Sequence, residues 1–129
     1  MPLSPDKKWN IEFHDEFEFD ELSDEVQDEL LAKAKLLEQF GSRLGRPNVD
    51  TLNGSSFANM KELRFKLGQA LWRFAFAFDP QQSGIILVGG DKQGVSQTKF
   101  YKKLIKIADR RYSDHLQFLK AKKVKGKEA

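Results

Sequence analysis

Apolar and polar positions along this chain repeat with two different periods, and the two periods predict its first elements. Trp9-Asn10-Ile11-Glu12-Phe13 alternates at every second residue, which predicts a strand. Four apolar residues then recur at steps of three and four and predict one face of a helix: Val26, Leu30, Ala34 and Leu37. Ser23 is suited to cap the start of this helix, and Gly41 to end it.

Three further strands are predicted in close order. The first runs from Met60 to Leu67 and the second from Leu71 to Phe78, and both alternate apolar with polar or small residues. Gly68-Gln69 and the segment 79–84 have the composition of turns. Ile85 to Val88 is an uninterrupted apolar run, as expected of a central strand. Such short connections favour an antiparallel meander.

The alternation gives the predicted sheet two unlike faces. One face carries six apolar side chains that can pack against the first helix: Leu63, Phe65, Trp72, Phe74, Phe76 and Phe78. The other carries Arg64, Lys66 and Arg73 beside Ala75 and Ala77. Cations beside small side chains predict a shallow basic groove, although an ordinary solvated face would show the same residues. Because Ala is a poor strand former, the two alanines indicate that something lies close to this surface.

The remaining segments complete a predicted α+β domain over residues 1–120. It has an antiparallel sheet of about four strands, the N-terminal helix on one face and a basic C-terminal helix. That last helix is expected from Gln97 to Lys120, with a break near Ser113 as an alternative. A short helix around Val49 to Leu52 is expected in the loop that precedes the meander. Residues 121–129 alternate Lys with small residues and are predicted to be disordered.

Charge is divided unevenly along the chain. Residues 1–59 contain 6 Lys or Arg against 13 Asp or Glu, which is a charge of −7, whereas residues 92–129 contain 12 against 3, which is +9. This division predicts an acidic side and a basic side, and the basic side would attract a polyanion. A solvated helix with a Lys-rich tail is the alternative. No apolar run approaches the ~18 residues of a membrane span, and no secretory signal is recognisable, so a cytoplasmic protein is expected.

Several kinds of chemistry are disfavoured by the residue types. The chain has no cysteine, and its two histidines, His14 and His115, are about 100 residues apart, so neither a metal site nor a cofactor is predicted. His115, near the end of the basic helix, is expected to be a surface residue, with a general acid as the alternative. The segment 89–94, Gly-Gly-Asp-Lys-Gln-Gly, could approach a phosphate through its backbone, but a plain strand-to-helix turn has the same sequence.

RNA cleavage needs neither metal nor histidine. The ribose 2′-hydroxyl attacks the adjacent phosphate, and cations stabilise the charge that develops. A Tyr or Lys with a lowered pKa, or the ribosome, would help to move the proton. Five residues would converge if the basic sheet face meets the start of the last helix: Arg64, Lys66, Arg73, Lys92 and Tyr101. Tyr101 could equally be a core residue, since it shares a helix face with Ile105 and Ala108.

The order of several short motifs resembles the RelE/ParE superfamily of toxins, and most closely its HigB-like, phage-derived branch. The motifs are Arg46-Pro47, Lys61-Glu62-Leu63-Arg64-Phe65, Trp72-Arg73-Phe74 and Ala108-Asp109-Arg110-Arg111. The resemblance covers roughly residues 9–119. It implies the toxin of a type II toxin–antitoxin system, an mRNA endoribonuclease that acts on the ribosome and inhibits translation. It also implies a hetero-oligomer with a helix-turn-helix antitoxin.

Carried over residue by residue, the resemblance implies that Arg73 contacts the scissile phosphate. Arg64, Lys92 and Tyr101 would complete the catalytic set. RNA-binding roles are expected for seven further cations: Lys61, Lys66, Lys99, Lys102, Lys103, Lys106 and Arg110. A ParE-like inhibitor of DNA gyrase and a nucleic-acid-binding relic without activity are the alternative functions.

Overall fold

The structure is a computed structural model that describes residues 8–128, with side chains for residues 8–122. Within this part the chain forms two long helices, α1 (Asp24–Phe40) and α2 (Gln97–Glu128). It also forms five strands: β1 (Ile11–Phe13), β2 (Val49–Thr51), β3 (Lys61–Leu67), β4 (Ala70–Phe78) and β5 (Gly84–Asp91). Single turns of 3-10 helix cover Phe19–Glu21 and Gly41–Arg43. No helix among residues 8–128 combines the length and apolar character that crossing a membrane requires.

The five strands form one mixed sheet in the order β1-β5-β4-β3-β2. The antiparallel meander β3-β4-β5 confirms the α+β prediction, but β1 pairs with β5 in parallel, so the sheet is not wholly antiparallel. The alternation of residues 9–13 predicts a strand but carries no information on its direction. The long connection permits the parallel direction, because the whole of α1, β2, β3 and β4 separates β1 from β5.

The predicted short helix around Val49 to Leu52 is wrong, because this segment is the edge strand β2. Val49 pairs with Leu63 of β3, and its side chain is buried in the core. Three residues are too few to show either period, so pairing with β3 decides the structure rather than local propensity.

Helix α1 matches its predicted bounds and packs on one face of the sheet. The Ser23 hydroxyl accepts a hydrogen bond from the Val26 N–H at 3.3 Å, and Gly41 ends the helix with φ +58°. Its four predicted apolar residues are all buried, and they meet the sheet residues Leu63, Phe65, Phe74, Phe76 and Ile86. A β-bulge shifts the pairing of β4 with β5 between Ala75 and Phe76, because Ala75 pairs with Val88 and Phe76 with Ile86.

Helix α2 covers the opposite face, where the sequence predicted an open basic groove. Ala75 and Ala77 are fully buried against Leu104, Ala108 and Tyr112. Helix α2 therefore closes the groove over the two alanines. The alanines indicated a close neighbour at this surface, and that neighbour is α2. The helix is unbroken at Ser113 and continues beyond the predicted end at Lys120.

Polar contacts fasten α2 to the rest of the molecule. The Arg111 guanidinium donates to the Leu87 carbonyl at 2.6 Å and to Glu18 Oε1 at 3.1 Å. His115 Nε2 lies 2.8 Å from Oδ2 of Asp79, which is buried in the turn between β4 and β5. The His115 side chain is only 14% exposed, so the prediction of a surface histidine is wrong.

We expect Ala75→Leu to lower the free energy of unfolding by about 1–3 kcal/mol, since the added methyl groups have no space between the sheet and α2. Ala58→Leu is the matched control because Ala58 is exposed, and its effect should stay within about 0.5 kcal/mol. Urea unfolding of both variants measures the difference. Equal stabilities would contradict the close packing of α2 on β4.

Candidate functional site

Three polar side chains meet where the first turns of α2 pass over β3 and β4. Arg73 Nε donates to Tyr101 Oη at 3.3 Å and lies 3.2 Å from Glu62 Oε1. The Tyr101 hydroxyl donates to the same Glu62 oxygen at 2.8 Å. The side chains of Arg73 and Glu62 are only 11% and 9% exposed, so the ion pair is largely shielded from water. A shielded pair with several hydrogen bonds holds a fixed geometry.

Lys92 joins this group from the end of β5. Its ammonium lies over the Tyr101 ring, 5.9 Å from the ring centroid, where a cation is attracted by the π-electrons. The turn that places it is fixed by Asp91, whose Oδ1 accepts from the backbone N–H groups of Leu71 and Gln93 at 2.9 Å. The segment that could have bound a phosphate is therefore ordered by its own carboxylate.

Arg64 lies beside this cluster on the neighbouring strand. It is the register partner of Arg73, so the two side chains point to the same face of the sheet. Arg64 Nη1 is 3.2 Å from Asp50 of β2, and its buried Nε has no hydrogen-bond partner among the described residues. Further along β3, Lys66 is exposed and Lys61 is half-buried.

The predicted RNA-binding residues of α2 fall into three groups. Lys99 and Lys103 line a hollow between β5 and α2, next to the cluster. Lys102 and Lys106 are exposed on the helix surface. Arg110 lies two turns further on and is paired with Glu16 and Asp114 at 3.1 Å, so the structure does not bring it to the cluster.

Glu62 is the residue of the cluster that the sequence reasoning missed as a functional candidate. The necessary signal was present in the predicted turn Gly68-Gln69, which sets the register of β3 against β4. That register pairs Arg64 with Arg73, which places Glu62 on the same face as Arg73 and diagonally across from it. Opposite charges at diagonal positions indicate an ion pair. The pair can be recognised only when the register of both strands is considered, not from the cations of one strand.

The pKa of the Tyr101 phenol is raised above its ordinary value of 10.0, first by burial and then by the hydrogen bond to the Glu62 carboxylate. Tyr101 therefore keeps its proton at neutral pH and does not act as the base with a lowered pKa that the sequence left open.

The pKa of His14 is lowered, mainly by burial. Among the residues that the structure describes, no group of three His, Asp or Glu side chains is arranged to hold a metal ion.

We expect Glu62→Gln to lower the pKa of Tyr101, because the carboxylate that favours the protonated phenol is removed. Absorbance titration of phenolate formation measures it, and Tyr101→Phe separates Tyr101 from Tyr112, the second of the two tyrosines in the sequence. Glu25→Gln on the exposed start of α1 is the control. An unchanged titration in Glu62→Gln would contradict the contact.

The raised pKa of Tyr101 also affects the stability of the folded chain. Because the pKa of Tyr101 is higher in the folded than in the unfolded chain, its contribution is fully present below the ordinary value of 10.0 and is lost as pH rises through the folded pKa. We therefore expect the wild-type protein to lose more unfolding free energy than Tyr101→Phe between pH 10 and the folded pKa. Urea unfolding measures both free energies. Equal losses in the wild-type protein and in Tyr101→Phe would contradict this expectation.

The fold and the sequence both resemble known proteins. Residues 17–113 match a family described as phage-derived protein Gp49-like. HigB3 of Mycobacterium tuberculosis is 49% identical over 81 residues, which are 63% of this chain and 68% of HigB3. HigB2 of the same organism is 42% identical over 96 residues, which are 74% of this chain and 47% of HigB2, so the match spans about half of that relative.

A solved structure supports the same grouping at the level of the fold. A mutant of the E. coli toxin RelE in the free state superposes with a TM-score of 0.50 and 15% identity, covering 74% of this chain and 96% of RelE. The family match covers about three quarters of the chain and includes α1, all of the meander and the first half of α2. The chain therefore belongs to the phage-derived Gp49-like family.

Proposed function

We propose that this chain is the toxin of a type II toxin–antitoxin system and inhibits translation as an endoribonuclease that cuts mRNA on the ribosome without a metal ion. The convergence of Arg73, Tyr101 and Lys92 carries the proposal, because it places two cations against one half-buried tyrosine, with Arg73 at its hydroxyl and Lys92 over its ring. The relatives HigB2 and HigB3 carry the names of toxins, which supports the same class.

The cluster fits cleavage by the RNA's own 2′-hydroxyl. In that reaction the 2′-oxygen loses its proton and bonds to phosphorus while the bond to the 5′-oxygen breaks, and negative charge gathers on the phosphate oxygens. The 5′-oxygen takes up a proton from water and leaves as a hydroxyl, and a 2′,3′-cyclic phosphate remains. Arg73 and Lys92 stabilise that charge, with Arg64 as the nearest further cation. Glu62 fixes Arg73 in position. The Tyr101 hydroxyl contacts both Glu62 and Arg73, and the Tyr101 ring contacts Lys92. Since Tyr101 stays protonated, it is not the base, and we assign the base that takes the 2′-proton to the ribosome.

The other cations act in binding. Lys61, Lys66, Lys99, Lys102, Lys103, Lys106 and Arg110 track the RNA backbone and steer its approach. The partners are mRNA on the ribosome and, in the resting state, a helix-turn-helix antitoxin in a cytoplasmic hetero-oligomer.

Removing Arg73 tests the catalytic part of the proposal. We expect Arg73→Ala to reduce mRNA cleavage about 10²–10³-fold, since one preorganised positive charge at the phosphate is lost. Induced expression followed by mapping of mRNA 5′ ends and protein synthesis gives the readout. Arg43→Ala, at an exposed position after α1, is the matched control and should retain cleavage.

Two results would contradict the proposal. A folded Arg73→Ala protein with full cleavage would exclude the assigned site. DNA damage that precedes any loss of mRNA would instead indicate an inhibitor of DNA gyrase.

Salt dependence tests the binding residues separately. Each phosphate contact that is lost should reduce the slope of log binding constant against log salt by about 0.7 for single-stranded RNA. We expect this reduction for Lys102→Gln and for Lys106→Gln, whereas Lys35→Gln on the opposite helix should leave the slope unchanged. Titration of the Arg73→Ala protein with fluorescent RNA avoids cleavage during the measurement.

A further inference from the structure

Strand β5 has a free edge over its second half. Its partner β1 pairs only with Gly84, Ile85 and Ile86, and the chain then turns away at His14, whose N–H donates to the Ile86 carbonyl at 2.9 Å. On that side of Leu87–Asp91, no strand among residues 8–128 continues the sheet. The other side is fully paired with β4.

The backbone groups along this edge point outward at alternate residues. The Lys92 N–H donates to the Leu71 carbonyl on the β4 side, whereas the Leu87 carbonyl faces away from β4 and accepts from Arg111. Groups in an antiparallel strand alternate between its two sides. Gly89 and Asp91 therefore direct their N–H and C=O groups toward the free edge, where a further strand would hydrogen-bond.

Two hollows flank this edge, one above and one below the sheet, and both are lined by Val88–Asp91. The upper hollow, toward α2, has a volume of about 470 Å³, and its further lining is mostly apolar with two cations: Val95, Lys99, Phe100, Lys103, Leu104 and Ile107. The lower hollow, toward the segment before α1, has about 260 Å³. Its further lining joins aromatic and aliphatic side chains with two carboxylates and one guanidinium: Phe17, Glu18, Glu21, Leu22, Trp72, Phe74 and Arg111.

Glycines keep the edge between the hollows bare. A Cβ on Gly90 would lie 3.2 Å from the Phe100 ring in the upper hollow, and a Cβ on Gly89 would lie 2.0 Å from Phe74 in the lower one. Side chains at these two positions would fill the hollows or displace the aromatic rings. The Gly89-Gly90 pair is thus accounted for as a bare strand edge rather than as a phosphate loop.

We propose that this edge binds an extended segment of a partner protein, which adds a sixth strand beside Val88–Asp91. Side chains of an added strand point alternately up and down. Those that point up would be apolar or acidic, to meet Lys99 and Lys103. Those that point down would be apolar or basic, to meet Glu21, because Glu18 is already paired with Arg111.

A peptide fits this edge better than RNA does. The lower hollow carries three carboxylates, Glu18, Glu21 and Asp91, against the single guanidinium of Arg111, so it would repel phosphates. Apart from Lys99 and Lys103, the side chains that α2 and its preceding turn contribute to the upper hollow are apolar. The docked strand would cover Lys99 and Lys103, so it would compete with RNA for these two cations. Identifying this partner as the antitoxin rests on the proposed function, whereas the binding mode rests on the strand edge alone.

Backbone amide exchange tests the edge directly. The protein is co-expressed with the antitoxin encoded beside its gene, and exchange is followed by NMR in the free chain and in the complex. We expect the Gly89 and Asp91 amides to exchange at least about tenfold more slowly in the complex, since both become hydrogen-bonded. Unchanged exchange at both amides in a formed complex would overturn the proposal. So would equal slowing by single-stranded RNA without the antitoxin.

Charge reversal tests the upper hollow. We expect Lys99→Glu with Lys103→Glu to weaken antitoxin binding at least about tenfold. Lys102→Glu with Lys106→Glu makes the same charge change at exposed positions of α2 that do not line the hollow, so it should have much less effect. Equal weakening by the two pairs would overturn the assignment of the hollow. Protected amides without any RNA cleavage would refute the proposed function but support strand addition at this edge. RNA cleavage without protected amides would support the proposed function but refute strand addition.

Discussion

The close approach of α2 to the sheet at Ala75 and Ala77 is the contact on which the candidate site depends. Two methyl side chains let the helix lie near the strand backbone, and Leu104, Ala108 and Tyr112 fill the remaining space. One turn toward the helix N-terminus, this approach places the Tyr101 hydroxyl within hydrogen-bond distance of Arg73 and Glu62. A larger residue in the strand would move the helix outward and separate the three polar groups.

The uneven charge of the chain is partly resolved inside the molecule. Glu16 pairs with Arg110, and Glu18 pairs with Arg111, so the acidic segment before α1 holds the middle of the basic helix. Arg111 is buried and its second contact is a backbone carbonyl, which makes it a structural residue. Lys99, Lys102, Lys103 and Lys106, toward the start of α2, take part in none of the salt bridges formed by the residues that the structure describes.

The sequence predicted α1 and the meander well, because both rest on repeated local signals. Helix α1 has a cap, an apolar face and a terminal glycine, and β3 and β4 have long alternation around a short turn. The parallel direction of β1 and the strand nature of Val49–Thr51 could not be predicted, since both are decided by partners distant in sequence.

The candidate site was predicted as a set of cations, and the structure adds what controls them. Arg73, Lys92 and Tyr101 converge as the faces of β4 and α2 implied, but Glu62 neutralises the central cation and Asp50 lies against Arg64. Carboxylates are hard to assign from one strand alone, because their partners are fixed only by register and by helix docking.

The bulge between β4 and β5 has a consequence for how this chain tolerates changes in length. One extra residue in β5 reverses the phase of everything after it, so that Val88 faces α2, Gly89 faces Phe74 and Gly90 faces Phe100. Deleting the unpaired Leu87 would remove the bulge and leave Gly89, Gly90 and Asp91 on their present faces, because Ala75–Val88 and Phe76–Ile86 would become consecutive pairs. Deleting Gly89, which follows the bulge, would instead move Gly90 to face Phe74 and send Asp91 to the wrong side of the sheet, away from the turn that it orders.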